Sequence, residues 1–198
     1  MLKLVEGEKV ASQLLSKEQI ATRIKELGAA INKDYNGKRI TLLGTLTGAN
    51  VFLADLAREI TLDVQLDFMK VSSYDSGTKT SGKVRLVHPP TLDITGQHVI
   101  IVEDIIDTGH TAIFLRDYLN EKNAASVAMC SLLNKPERRE VQGVKCEYLG
   151  FDVENVFVVG YGLDYAQRYR NLPYIGILEL EQNENGVCSA PLKKEEVN

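Results

Sequence analysis

Cysteine is scarce in this chain. The 198 residues hold three, Cys130, Cys146 and Cys188, far apart and without any Cys-x-x-Cys spacing. That excludes a disulfide framework and a cysteine zinc site, and it fits a reducing compartment. An excess of positive charge is also missing. Lys and Arg number 23 against 27 Asp and Glu, a net charge of −4. Such a chain has no broad surface for neutralising nucleic-acid phosphates, although a local basic pocket for a small phosphorylated ligand stays open. No run approaches the ~20 apolar residues of a membrane span. The N-terminal MLKLVEGEKVAS has no apolar stretch of signal-peptide length. Together these absences predict a cytoplasmic protein with no nucleic-acid or membrane partner.

What is present is ordinary for a globular domain: 44% hydrophobic and 25% charged residues. Ser16-Lys17-Glu18-Gln19 has the form of a capping box. Ile20, Ile24, Leu27 and Ile31 follow on one helical stripe. Asn36-Gly37 marks a turn. Residues 40–43 read as a short buried strand, 44–48 as a loop, and 50–60 as a helix. Val64, Leu66 and Phe68 alternate with polar residues, as in a half-buried strand. Residues 72–82 are polar without period and read as a mobile loop, of the kind that often forms a lid. Further strands are predicted at 84–87, 98–102, 126–133, 148–151, 156–159 and 175–178, with a helix at 111–120. Strands alternating with helices indicate an α/β fold with a largely parallel sheet. The polar stretch 181–198 reads as a tail.

The segment 98–111, HVIIVEDIIDTGHT, carries the most chemistry. An apolar strand runs into two adjacent carboxylates, Glu103 and Asp104. Ile105 and Ile106 follow, then Asp107, Thr108, Gly109, His110 and Thr111, then a helix. Ligands bind beyond the carboxyl ends of strands in open α/β sheets. The Thr-Gly-x-Thr turn and the helix start offer N–H groups and hydroxyls to a phosphate. Gly109 permits close backbone approach. Carboxylates beside a phosphate repel it unless a hard cation intervenes, and magnesium is held by one or two carboxylates with ligand oxygens and water. The segment therefore predicts a sugar phosphate with Mg2+ nearby.

VIIVEDIIDTGHT resembles the phosphoribosyl-pyrophosphate motif of type I phosphoribosyltransferases, most closely the hypoxanthine-guanine branch. LLGTLTGANVFLADL is similar to that family's first loop and following helix. SSYDSGTKTSG is similar to its flexible loop, and SLLNKPERR with VFVVGYGLDYAQRYRNLPYI to its base-binding region. The resemblance implies an α/β fold with a mostly parallel central sheet flanked by helices. A small hood, formed by residues of about 157–180 with the N-terminal segment, would complete one domain over 1–198.

The activity implied is purine salvage: Mg2+-dependent transfer of phosphoribosyl from phosphoribosyl pyrophosphate to hypoxanthine or guanine. Glu103 and Asp104 would lie by the ribose hydroxyls and share a magnesium. Asp107, by the purine N7, would accept the proton. Thr108, Gly109, His110 and Thr111 would wrap the 5′-phosphate, with Ile105 and Ile106 lining the same loop. Lys135 would reach the 6-oxo group, Phe157 would stack on the base, and Val158 would contact it through its backbone beside Leu163. Asp164 would hold a second magnesium through water, and Arg170 would hold pyrophosphate with the Thr47-Gly48 backbone. Ser73 and Tyr74 would close as the lid. Homodimers or homotetramers are implied.

The chain departs from the pattern at the first loop, where Leu46-Thr47-Gly48 replaces the usual Leu-Lys-Gly. His110 also stands where Lys is frequent. Arg138-Arg139 reads as a solvated charge pair, and His88 and His98 as residues without a chemical role. Three other functions are consistent with parts of the pattern. A xanthine-preferring transferase would differ only near Val158 and Asp164. A nucleotide-sensing regulator would need a basic face or an added DNA-binding unit. An inactive interaction protein would be expected to lack Asp107 or Lys135, and both are present.

Overall fold

Among the residues that the computed structural model describes, 8–75 and 80–180, the chain opens with a strand that its side-chain pattern does not announce, β1 (Glu8–Leu15). Ser16 then caps α1 (Lys17–Asp34) in a complete capping box. The Gln19 N–H donates to Ser16 Oγ at 3.2 Å, and the Ser16 N–H donates to Gln19 Oε1 at 2.8 Å. The predicted stripe Ile20, Ile24, Leu27 and Ile31 is buried. β2 (Ile40–Thr45) is buried at every position, and α2 (Asn50–Arg58) follows. After β3 (Val64–Asp75) and β4 (Thr80–His88) come β5 (His98–Ile106), α3 (His110–Glu121) and β6 (Ser126–Asn134). The described chain ends through β7 (Tyr148–Asp152), β8 (Val158–Val159) and β9 (Ile175–Leu180). The polar stretch predicted at 181–198 lies outside the described residues.

Six strands form one sheet in the order β4-β3-β2-β5-β6-β7. All its pairs are parallel except β3 with β4. The sheet is thus the mostly parallel α/β sheet that the alternation predicts. A second sheet, β1-β9-β8, is antiparallel. The helices lie on both faces of the large sheet. One hydrophobic cluster joins α1 and α2 to Ile40, Leu42, Ile100 and Leu132, and extends through Leu15, Val158, Leu163 and Ile175 into the small sheet. The other packs α3 through Leu115 and Leu119 on Leu43, Val99, Ile101 and Met129. Each fully buried Leu or Ile contributes about 1.5–3 kcal/mol by leaving water.

Three expectations are corrected. The polar segment 72–82 is not wholly loop: the β3–β4 ladder runs to Asp75 and restarts at Thr80, with Ser72 opposite Arg85 and Ser73 opposite Val84. Antiparallel pairing is made by backbone groups, so a stretch without apolar side chains can still carry it. His88 closes β4, paired with Lys70, rather than lying in a loop. The strand expected at 156–159 is only Val158–Val159, because the Val156 N–H turns back to the carbonyl of Glu154 at 2.8 Å.

The parallel registers place the ends of β2, β5 and β6 at one edge. Gly44 lies opposite Val102, and Ile106 opposite Asn134. The loops beginning at Leu46, Asp107 and Lys135 therefore emerge side by side, where an open α/β sheet binds its ligands. Those loops carry most of the residues singled out above.

Candidate active site

The first loop turns tightly after β2. The Leu46–Thr47 peptide is cis, and the Leu46 N–H donates to the carbonyl of Met69 at 2.8 Å. Gly48 then passes so close to Asp104 that a Cβ there would come within 1.6 Å of Oδ2. Asp104 and Glu103 are neighbours at the end of β5, on opposite sides of the strand. Glu103 is buried. Its Oε2 accepts from Thr45 Oγ at 2.6 Å, and its Oε1 is buried with no hydrogen-bond partner. Burial, reinforced by the charge of Asp104, pushes the Glu103 carboxyl up to about 8. Burial also pushes Asp104 up to about 6, against hydrogen bonds from the backbone and the pull of Arg170.

Two adjacent acids that resist ionisation, one with an orphaned oxygen, fit a site completed by a cation. Among the described residues no three His, Cys, Asp or Glu side chains converge as a metal cluster. A Mg2+ here would therefore take one or two carboxylates and fill its shell with ligand oxygens and water.

The loop after β5 leads into the N-terminus of α3 around a small hollow. Gly109 precedes α3 at φ +93°, a left-handed conformation, and a Cβ there would lie 2.7 Å from Val144 Cγ2. Only glycine meets both conditions. Asp107, Thr108, Gly109 and Thr111 line a hollow of about 80 Å³ together with Glu103, Ile105, Ile106 and Ala112. Ile106 is buried in the core, and Ile105 is partly covered. The N-terminus of α3 adds its dipole to the hollow. His110, the first residue of α3, faces Glu140, with Nε2 3.2 Å from Oε2.

Sequence reasoning missed how the segment after β6 closes on this loop. The Lys135 N–H donates to the carbonyl of Ile106 at 2.9 Å, and the Glu140 N–H to that of Thr108 at 3.0 Å. Arg138 is exposed, yet the pair is not free of partners: both arginines engage Asp107. Arg138 Nε donates to Asp107 Oδ1 at 3.0 Å, and Arg139 Nη1 to the Asp107 carbonyl at 2.8 Å. Arg139 also donates to Asn134 Oδ1. The Lys135 side chain crosses to the next segment, where Nζ donates to the carbonyl of Val156 at 2.7 Å. Burial lowers its pKa, an effect offset in part by Asp107.

Beyond Val156, Phe157 is half exposed and meets Tyr165 edge-on at 5.5 Å. Its carbonyl accepts from the Leu178 N–H at 2.9 Å, which anchors the backbone while the ring faces outward. Val158 and Leu163 are buried. Residues 160–169 then bend sharply, with Tyr161, Ala166, Gln167 and Tyr169 all at positive φ, besides Gly160 and Gly162. Such conformations cost about 1 kcal/mol or more each and persist where the surroundings enforce them. Their effect is to join Asp164 to Arg170, with Nη2 2.8 Å from Oδ1. Arg170 Nη1 also donates to the carbonyl of Gly162 at 2.6 Å, and Asp164 Oδ2 accepts from the Gln167 N–H at 2.8 Å. The structure thus groups Gly48, Asp104, Asp164 and Arg170 on one side, and Asp107, Gly109, Lys135 and Phe157 on the other. Ser73 lies on the β3–β4 ladder and Tyr74 at its irregularity. The lid expected of their side chains lies outside what the structure describes.

A family model for the phosphoribosyl transferase domain matches residues 10–166. The chain belongs to the phosphoribosyltransferase family. Its relatives in that family narrow the kinship. A hypoxanthine-guanine phosphoribosyltransferase of Streptococcus pneumoniae is 49% identical over 172 residues, 87% of this chain and 95% of that one. A hypoxanthine phosphoribosyltransferase of Haemophilus influenzae is also 49% identical, over 85% of this chain and 96% of that one. The crystal structure of a hypoxanthine-guanine phosphoribosyltransferase from Bacillus anthracis superposes with a TM-score of 0.81 at 43% identity, covering 87% of this chain and 99% of the other. A phosphoribosyltransferase sheet and hood are therefore what the present chain folds into, and the expected family is the observed one.

Proposed function

We infer that this phosphoribosyltransferase transfers phosphoribosyl from phosphoribosyl pyrophosphate to a 6-oxopurine, hypoxanthine and guanine foremost. The observation that carries the reading is Lys135, tied by its N–H to Ile106 just before Asp107 and by its Nζ to the Val156 carbonyl, next in the chain to the exposed ring of Phe157. A lysine donates to a 6-oxo group and cannot accept from the 6-amino group of adenine. A site built around that donor rejects the analogue that lacks the acceptor.

In this reading the turn of Thr108, Gly109, His110 and Thr111 binds the 5′-phosphate through N–H groups and hydroxyls. Phe157 stacks on the base, and Val158 and Leu163 border it. Asp107 accepts the purine proton as the ring nitrogen attacks the sugar carbon and the bond to pyrophosphate breaks. Arg170 and the backbone of Thr47 and Gly48 hold the departing pyrophosphate, where negative charge builds. Mg2+ held by Glu103 and Asp104, with a second ion near Asp164 through water, would neutralise that charge. Ser73 and Tyr74 close over the site and keep water from the cationic sugar. One domain over 1–198 in a cytoplasmic homodimer or homotetramer completes the proposal. Among the described residues Cys130 and Cys146 are free, as a reducing compartment would leave them.

Product binding tests the base assignment. Calorimetric titration with IMP, GMP and AMP in Mg2+ is expected to show AMP at least ~10-fold weaker. Lys135→Ala is expected to reduce that difference. Equal affinity for all three nucleotides in the parent protein would remove Lys135 from base selection.

A further inference from the structure

Arg138 sits on the acid that the reaction needs. The short 3-10 turn Pro136–Arg138 brings its guanidinium over the loop after β5, and Nε donates to Asp107 Oδ1 at 3.0 Å. Flanking backbone bonds, Lys135 to Ile106 and Glu140 to Thr108, fix the two segments side by side. Arg139 ties the same aspartate by its carbonyl. Contact through Nε engages one carboxylate oxygen, so Oδ2 remains able to accept from a bound base. Both side chains are more than two-fifths exposed, 44% for Arg138 and 42% for Asp107, so neither is part of the core.

We propose that Arg138 is a positioning residue for Asp107. It selects the rotamer in which Oδ2 faces the purine. The proposal rests on the reading of Asp107 as proton acceptor. The proton leaves the purine nitrogen for Oδ2, while Arg138 stays protonated on Oδ1 throughout. Lys135 does not take this place, because its Nζ reaches away from Asp107 to the Val156 carbonyl at 2.7 Å and keeps its other donors for the base. A lysine at position 138 would bring charge without the planar fork, and so would restore the function only in part.

Steady-state kinetics and thermal melts of Arg138→Gln, Arg138→Lys, Asp107→Asn and the double variant Asp107→Asn/Arg138→Gln test this. Arg138→Gln is expected to lower kcat about tenfold, with KM for phosphoribosyl pyrophosphate within about twofold and Tm unchanged, since exposed groups add little stability. Arg138→Lys is expected to fall between the two. Asp107→Asn is expected to lose ~10²-fold or more. The double variant should then be no slower than Asp107→Asn, because residues acting through one another are not additive. Wild-type kcat in Arg138→Gln, or a further tenfold loss in the Asp107→Asn background, would overturn the proposal. So would a lowered Tm with unchanged kcat per folded molecule. Full activity in Asp107→Asn would instead remove Asp107 from the mechanism, a failure visible in that variant alone.

Discussion

Gly162 packs against Gly48 so closely that a Cβ on Gly162 would stand 2.1 Å from the Gly48 carbonyl oxygen. Gly48 in turn has no space for a Cβ beside Asp104. The Gly162 carbonyl accepts from Arg170 at 2.6 Å. Two glycines therefore stack the first loop, the acidic strand end and the Asp164–Arg170 pair into one block. Gly162→Ala meets both a backbone oxygen and φ +97°. The expected cost is about 1–3 kcal/mol of stability. KM for phosphoribosyl pyrophosphate is expected to rise about tenfold or more, because the first loop must move. Initial-rate kinetics with a thermal melt check both, and unchanged KM would show that the contact does not shape the site.

Glu103 predicts a pH signature of the ligand-free protein. Its folded carboxyl is held near 8, above an unfolded value of about 4.3. Between those values the folded state binds more protons than the unfolded state, so stability falls as pH rises through that window. Melting temperature is expected to drop from pH 6 to pH 8.5, and Glu103→Gln to flatten that drop while abolishing most turnover. Differential scanning calorimetry of both proteins, without metal, measures it. A steeper fall in the variant would contradict the assignment.

Phe157 is half exposed, so its ring contributes little to the core. Stacking a base on an aromatic ring is worth about 1–3 kcal/mol. Phe157→Ala is therefore expected to raise KM for the base by ~10-fold or more and to leave Tm within a few degrees. Competition kinetics with hypoxanthine provide the check. A large loss of Tm with unchanged KM would make the ring structural.

The β5–α3 motif was legible because its parts are local. An apolar strand, two acids, a left-handed glycine and a helix start all fall within residues 98–111, and each has its own signal in the side chains. β1 was not legible, because its partner is β9, with Glu8 opposite Leu180. Irregularities between Val10 and Ser12 and between Gln13 and Leu15 also break the period of two. The roles of Arg138 and Arg139 escaped for a related reason. Their partner, Asp107, lies some thirty residues earlier, and nothing in an arginine pair names a distant carboxylate. Thr45 carried a weak signal, a polar residue closing an apolar strand, but only the structure shows it beneath Glu103. The β3–β4 ladder that runs into residues 72–75 and 80–82 was hidden because hydropathy reports side chains and the ladder is made by the main chain.

The most direct test of the central claim is nucleotide formation from phosphoribosyl pyrophosphate and Mg2+, with hypoxanthine, guanine, xanthine and adenine supplied in turn. Rapid turnover of hypoxanthine or guanine, little with adenine, and none after the metal is chelated is the result expected if Lys135 reads the 6-oxo group and Glu103 and Asp104 share a magnesium by the ribose hydroxyls. Turnover of adenine at a comparable rate, or no turnover of any base by protein that binds the nucleotide, would contradict it.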